Sequence, residues 1–203
     1  VVANGRALSA TPALLDTAVS LSAEHGVAVC RSLGSGVVNA VRNLYEALGA
    51  GPSRRVSRST LLEQCLTVVY RILFLLFTEA RGLVPVWHPL YRDQYSIGAM
   101  VTTLMSGQPG RGTWEAIKAI SRLAHAGCAT GDFTVTAFNS RLFSPQLTSG
   151  VDSRRIADDV MRRVVMDLGT ARIRDSGVTR TRYEDLDVEQ LGSVYEHVLE
   201  YQP

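Results

Sequence analysis

Two groups of charged residues are the parts of this sequence whose types and spacing could do chemistry. The first is arginine. Arg54, Arg55 and Arg58 cluster without an acidic neighbour, and Arg154–Arg155 and Arg162–Arg163 recur eight residues apart. Arg172, Arg174, Arg180 and Arg182 then follow with only Asp175 among them. On one helix, eight residues is a little over two turns, so both pairs would project to nearly the same side. Such a stripe suits a row of phosphates. Arg54, Arg55, Arg58, Arg154, Arg155, Arg162, Arg163, Arg180 and Arg182 are therefore the candidate phosphate contacts. The competing reading is a solvated helix face paired with Asp158, Asp159 and Asp167 at helical spacing.

The second group is acidic: Asp158, Asp159, Asp167, Glu184, Asp185, Asp187 and Glu189. A metal-dependent nuclease needs carboxylates converging with a lysine at a sheet edge. Here the carboxylates fall on helical segments and Lys118 is the only lysine. They read better as solvated helix faces and as partners of helix N-termini.

Other chemistries find no support in the residue pattern. His25, His88, His125 and His197 lie at no zinc-ligand spacing, and Cys30, Cys65 and Cys128 are odd in number and far apart. No Gly-x-Gly-x-x-Gly, Walker loop or nucleophile elbow occurs; Gly107 to Gly112 lacks the lysine–serine pair and reads as a plain loop. The net charge of +2 over 203 residues makes no case for nucleic acid by itself. The excess of arginine over lysine fits planar oxyanion contacts and fits a coding bias equally well. The apolar stretch 68–77 is interrupted by Arg71 and is short for a bilayer, and no signal peptide is visible, so a cytoplasmic setting without a membrane is expected.

The charged groups must be positioned by helices. Thr11–Pro12 opens a first helix carrying Leu14, Leu15, Ala18, Val19 and Leu21, which Gly26 ends. A second covers 27–48, with Gly34 and Gly36 as points of kinking. After the loop 49–55, Ser57 or Ser59 caps a helix over 60–81 that is apolar nearly all round and hence central to the core; Gly82 and Pro85 end it. The stretch 84–112 is an ordered loop with short helices, one at 97–105. Another helix starts at Thr113, loop follows over 127–145, and Asp152 caps a helix to Leu168. Residues 172–174 form a short strand. In the terminal helix, Leu186, Val188, Leu191, Val194, Tyr195, Val198 and Leu199 make an apolar face, and Asp187 with Gln190 makes a capping box. Gly192, in mid-helix, is expected to let another helix approach closely, with the terminal helix folding back on the chain rather than pairing with a second copy. Cys65 is a core residue. Arg71 needs a carboxylate, from Glu79 or Glu63, and Glu79 and Arg81 form a held charged pair.

Three blocks carry a resemblance. Residues 70–85, with Arg71, Leu73, Phe74, Leu75, Glu79, Arg81, Gly82 and Pro85, are similar to the "R-x-L-F-L-x-x-x-E-x-R-G-L-L-P" helix end of restriction–modification adenine-specific DNA methyltransferases. Residues 138–143 resemble that family's "F-N-G-x-L-F" turn, with Ser140 where glycine is usual. Residues 183–199 look like the segment just before its S-adenosylmethionine-binding domain. The order of the blocks matches the family's. Residues 1–65 match nothing in it.

The resemblance implies a helical connector that positions a downstream, S-adenosylmethionine-dependent catalytic domain and contacts double-stranded DNA through the arginines above. The family's Gly-x-Tyr-Tyr-Thr-Pro and Asn-Pro-Pro-Tyr motifs do not occur here, so no catalytic, cofactor or metal residue is carried over. The expectation is an all-α domain, a helical bundle with at most a short β-hairpin, as a fragment of a larger multidomain enzyme. It divides into a helical pair at 1–50 and a connector core at 57–203. The start at Val1 without methionine fits an excised piece. The partners expected are the downstream methyltransferase domain, DNA, and a second copy if the terminal helix pairs. Two rivals stand beside this: a helical module that binds another protein and no DNA, and a small independent enzyme with a site in 84–112.

Overall fold

A computed structural model describes residues 11–49, 57–173 and 177–199, without the side chains of 11–29, 173, 191, 195 and 197–199. The architecture is mainly helical, with two small two-stranded antiparallel sheets. In chain order the helices are α1 (Thr11–Gly49), α2 (Arg58–Ala80), α3 (Pro89–Gln94), α4 (Ile97–Met105), α5 (Thr113–Ala126), α6 (Ser149–Asp152), α7 (Asp158–Gly169) and α8 (Val188–Leu199). Between α5 and α6 lies the hairpin β1 (Cys128–Thr130) and β2 (Phe133–Val135); β3 (Thr170–Ile173) and β4 (Gly177–Arg180) form a second hairpin after α7.

The centre of the core is α2, as its composition dictates. Cys65, Val68, Val69, Ile72, Leu73, Leu75 and Leu76 are all buried. The helix is long and apolar enough to cross a membrane by length and composition alone, but its apolar residues pack within the domain. Ser57 caps it by accepting from the Thr60 amide at 3.1 Å. It stops at Ala80, where Gly82 takes a positive φ of 65°.

Helix α1 runs unbroken through Gly26, Gly34 and Gly36, where the sequence suggests two helices and a kink. The apolar side chains expected at Leu14, Leu15, Ala18, Val19 and Leu21 lie outside those described. Gly36 is a crossing point: a Cβ there would lie 2.1 Å from the Asp167 carbonyl oxygen of α7. Its missing side chain lets α1 and α7 approach closely, a constraint stronger than its poor helix propensity. Gly169 is similar, since a Cβ there would meet Val101 of α4 at 2.3 Å.

Helix α8 folds back onto α1, and Val194 is buried between them. Its capping box forms as the sequence suggests: the Asp187 amide donates to Gln190 Oε1 at 3.0 Å and the Gln190 amide to Asp187 Oδ1 at 2.6 Å. Two details differ from expectation. Val188 is 72% exposed, and among the described residues Gly192 has no atom within 4 Å of an added Cβ, so no described neighbour packs against it. Leu191, Tyr195, Val198 and Leu199 are among the undescribed side chains.

The helix expected from Asp152 to Leu168 is interrupted. A single turn, α6, ends at Asp152, and α7 begins only at Asp158 after an irregular segment. The expected loop 127–145 includes the β1–β2 hairpin, where a tight turn at Gly131 (φ 60°) pairs Cys128 with Val135.

Candidate functional site

The nine candidate arginines do not form one stripe. Arg54 and Arg55 lie outside the described residues, and Arg58 is exposed at the start of α2. Arg154 and Arg155 precede α7 and so share no helix with Arg162 and Arg163. The interruption at 153–157 removes the periodicity on which the stripe depended. Arg154 turns inward: its Nη1 donates to the Leu48 carbonyl at 2.7 Å, satisfying the C-terminal end of α1, while its own carbonyl accepts from Trp114 Nε1 at 3.1 Å. Arg162 Nε donates to the Asp158 carbonyl at 3.2 Å, and Arg163 pairs with Asp159 at 3.0 Å. Arg182 pairs with Glu184 and Asp185 at 3.2 and 3.1 Å. Arg155 and Arg180 are exposed, and no ion pair holds either among the described residues.

The acidic constellation also separates into local tasks. Asp158 accepts from the Gly112 and Thr113 amides, both at 3.1 Å, at the start of α5. That is the helix-dipole role its position suggests. Asp167 accepts from Asn43 Nδ2 at 2.9 Å, and burial pushes its carboxyl above the usual range. Among the described residues no three His, Cys, Asp or Glu side chains gather as metal ligands. Cys30, Cys65 and Cys128 are free thiols, and burial in the core pushes Cys65 up to about 12.

Arg71 is buried and is not held by Glu79 or Glu63. Its Nε and Nη2 donate to the Leu142 and Ser144 carbonyls at 2.8 and 2.7 Å, and Nη1 donates to Thr148 Oγ1 at 2.8 Å. The Thr148 hydroxyl passes the link to Asp152 Oδ2 at 2.7 Å. Backbone carbonyls can replace a carboxylate here because the irregular turn points them toward the guanidinium, although the Ser144 carbonyl also takes the Leu147 amide at 3.1 Å. Burial lowers the Arg71 pKa, partly offset by the nearby Asp152 charge. The turn it holds is the one pinned by Phe138 and Phe143, whose ring centroids are 5.6 Å apart; Phe74 of α2 meets both edge-on at 5.4 and 5.7 Å.

Glu79 and Arg81 do not pair with each other either. Arg81 donates to the Leu186 carbonyl and lies over the Phe77 ring, 5.2 Å from its centroid. Glu79 caps α4: Oε1 accepts from the Ile97 amide and Oε2 from the Gly98 amide and the Ser96 hydroxyl, each at 2.8 Å. Tyr91 adds a longer bond of 3.4 Å to Oε1. Burial raises the carboxyl above its ordinary value, while these four donors pull it back down. With its lone pairs committed to fixed donors, Glu79 is a structural acceptor rather than a free base.

A cleft of about 630 Å³ opens beside this clamp. Leu76 and Glu79 of α2, Ser96 at the start of α4, Arg180 at the end of β4 and Thr181 and Arg182 beyond it line it, with Arg92 of α3 on the rim. Sequence reasoning singled out Arg180 and Arg182 but missed Arg92, Ser96 and the cleft itself. Ser96 before the apolar run 97–105 was the available signal, being a plain N-cap. Val86, Arg92, Ser96 and Ala99 of the 84–112 stretch, where one rival reading puts an enzyme site, line one wall of the cleft.

Compared with protein-family models, curated proteins and solved structures, the chain matches none.

Proposed function

We propose that this chain is the helical connector of a restriction–modification-type adenine-specific DNA methyltransferase, holding an S-adenosylmethionine-binding domain in place and facing the DNA backbone with arginine. The observation that supports the reading is the convergence of the three family-like blocks on α2. Arg71 and Phe74 of the first block hold the 138–143 turn, and Arg81 holds the Leu186 carbonyl of the third. Residues distant in sequence are thus joined at one buried helix and the residue that follows it. A connector needs stiffness to fix one domain against another. Methyl transfer itself belongs, on this reading, to a domain outside these 203 residues.

The test is made on the complete product of the gene that encodes the chain. Incubated with duplex DNA and methyl-labelled S-adenosylmethionine, it should place label on adenine N6, and Arg71→Met should reduce that transfer. A complete product that binds neither the cofactor nor DNA would overturn the reading.

A second reading, a module that binds another protein and no DNA, draws on the exposed apolar side chains Leu83, Trp87 and Leu90 after α2. Apolar side chains exposed together in one short stretch suit a protein interface. A partner retained by the parent chain and lost on Trp87→Ser, with no DNA affinity in either, would favour it.

A further inference from the structure

The cleft between α2, α4 and β4 contains an unusual guanidinium. Arg180 Nη1 makes one long hydrogen bond, 3.3 Å to Thr102 Oγ1, and among the described residues no carboxylate pairs with it. Its Nη2 rests against Gly98, where an added Cβ would lie 2.5 Å from it, so the missing side chain makes room for the group. The neighbouring Glu79 carboxylate is committed to four other donors. Most of the five N–H donors of Arg180 are therefore unspent.

Thr181 lines the same cleft, is 4% exposed, and its hydroxyl has no hydrogen-bond partner among the described residues. A buried hydroxyl without a partner is costly to keep. Arg92 and Arg182 complete the cationic wall. Each is paired with surface carboxylates, Asp93 for the first and Glu184 and Asp185 for the second, and each keeps further N–H groups. The volume is within the range of small-ligand sites.

We propose that this cleft binds a phosphate group, with Arg180 as the bidentate contact and Arg92 and Arg182 as flanking donors. A planar fork matches two phosphate oxygens, whereas the bound carboxylates leave the cleft without a strong positive field. The site is thus selective for a group that can reach Arg180, rather than a general polyanion trap. The phosphate can come from a free nucleotide or from a DNA backbone. The inference does not depend on the connector reading, because a free phosphate probe tests the cleft by itself.

The experiment is calorimetric titration of the chain with inorganic pyrophosphate and with adenosine triphosphate, and anisotropy with a fluorescent duplex at fixed salt. Arg180→Gln should weaken every probe that binds by about tenfold or more, the usual effect of losing a charge-assisted fork. Arg180→Lys, which keeps the charge and loses the fork, should weaken it less. Arg122→Gln, an exposed arginine of α5 outside the cleft lining, should leave affinity unchanged. Binding of the small probes with this pattern assigns the site to a free phosphate ligand; binding of the duplex alone with the same pattern assigns it to DNA. No binding by any probe, or equal losses in the Arg180 and Arg122 variants, overturns the proposal. A thermal midpoint for Arg180→Gln equal to the parent's excludes misfolding as the cause, and if it falls, the Arg180→Lys comparison decides.

Discussion

Glu79 Oε1 accepts the Ile97 amide at 2.8 Å, so the end of α2 caps the start of a helix eighteen residues further along the chain. Its other oxygen takes the next amide, Gly98, at the same distance. A carboxylate in this position serves two orphan donors at once and sits on the positive end of the α4 dipole. Gln supplies only one acceptor oxygen. Glu79→Gln should therefore cost about 1–3 kcal/mol, the penalty for a buried polar group left unpaired. Urea denaturation measures it; an unchanged midpoint would mean that α4 does not rely on the clamp.

The same clamp has a pH signature. Burial is the largest influence on Glu79 and raises its folded-state pKa above the ordinary 4.5. A raised folded pKa means the folded state holds its proton more tightly than the unfolded chain. The contribution is full below about 4.5, the unfolded value, and is lost as pH rises through the higher folded value. Stability plotted against pH should thus carry a component that falls with rising pH in the wild type and is missing in Glu79→Gln. A difference curve that rises with pH over this interval would reverse the assignment of burial as the dominant influence.

Arg71 should be among the least replaceable side chains. Arg71→Met would take the donor from the Leu142 carbonyl and the Thr148 hydroxyl and leave the Ser144 carbonyl with the Leu147 amide alone, at a cost of about 3–5 kcal/mol as for a broken buried charge network. Arg71→Lys should lose less, since an ammonium can serve part of the set. Chemical denaturation of both variants checks the order, and Lys costing as much as Met would show that the planar fork itself is required.

Two helix glycines should respond in opposite directions. Gly36→Ala should destabilise by about 1–3 kcal/mol, because its methyl would be driven into the Asp167 carbonyl and the helices would have to separate. Gly192→Ala should stabilise by about 0.5–1 kcal/mol, as no described neighbour packs against that position and only propensity changes. Thermal melts of the pair distinguish packing from propensity; equal shifts would contradict the helix crossing at Gly36.

Leu73 and Leu76 lie in the buried heart of α2, at 3% and 4% exposure. Either one replaced by alanine should cost about 2–5 kcal/mol through lost transfer energy and the cavity left behind. Midpoints within error of the parent in both variants would remove α2 from the centre of the core.

The local elements were legible in the sequence because their causes are local. The apolar face of α2, the Ser57 cap and the Asp187–Gln190 box follow from side chains within one or two turns of each other. The continuity of α1 was not legible. Helix propensity counts a glycine as a weakness, whereas the fold uses Gly36 as an approach point for a helix more than a hundred residues away. The partners of charge were hidden for a related reason. Arg71, Glu79, Arg81 and Arg154 have carboxylates or arginines near them in sequence, yet each is satisfied across the fold by backbone groups. Backbone carbonyls and amides carry no residue identity, so no spacing rule reveals which of them a turn or helix end leaves unpaired. Sequence alone determined that the chain is mainly helical and that α2 is its apolar centre. Only tertiary structure decided which charges are spent inside the fold and which, such as Arg180, remain open to a ligand.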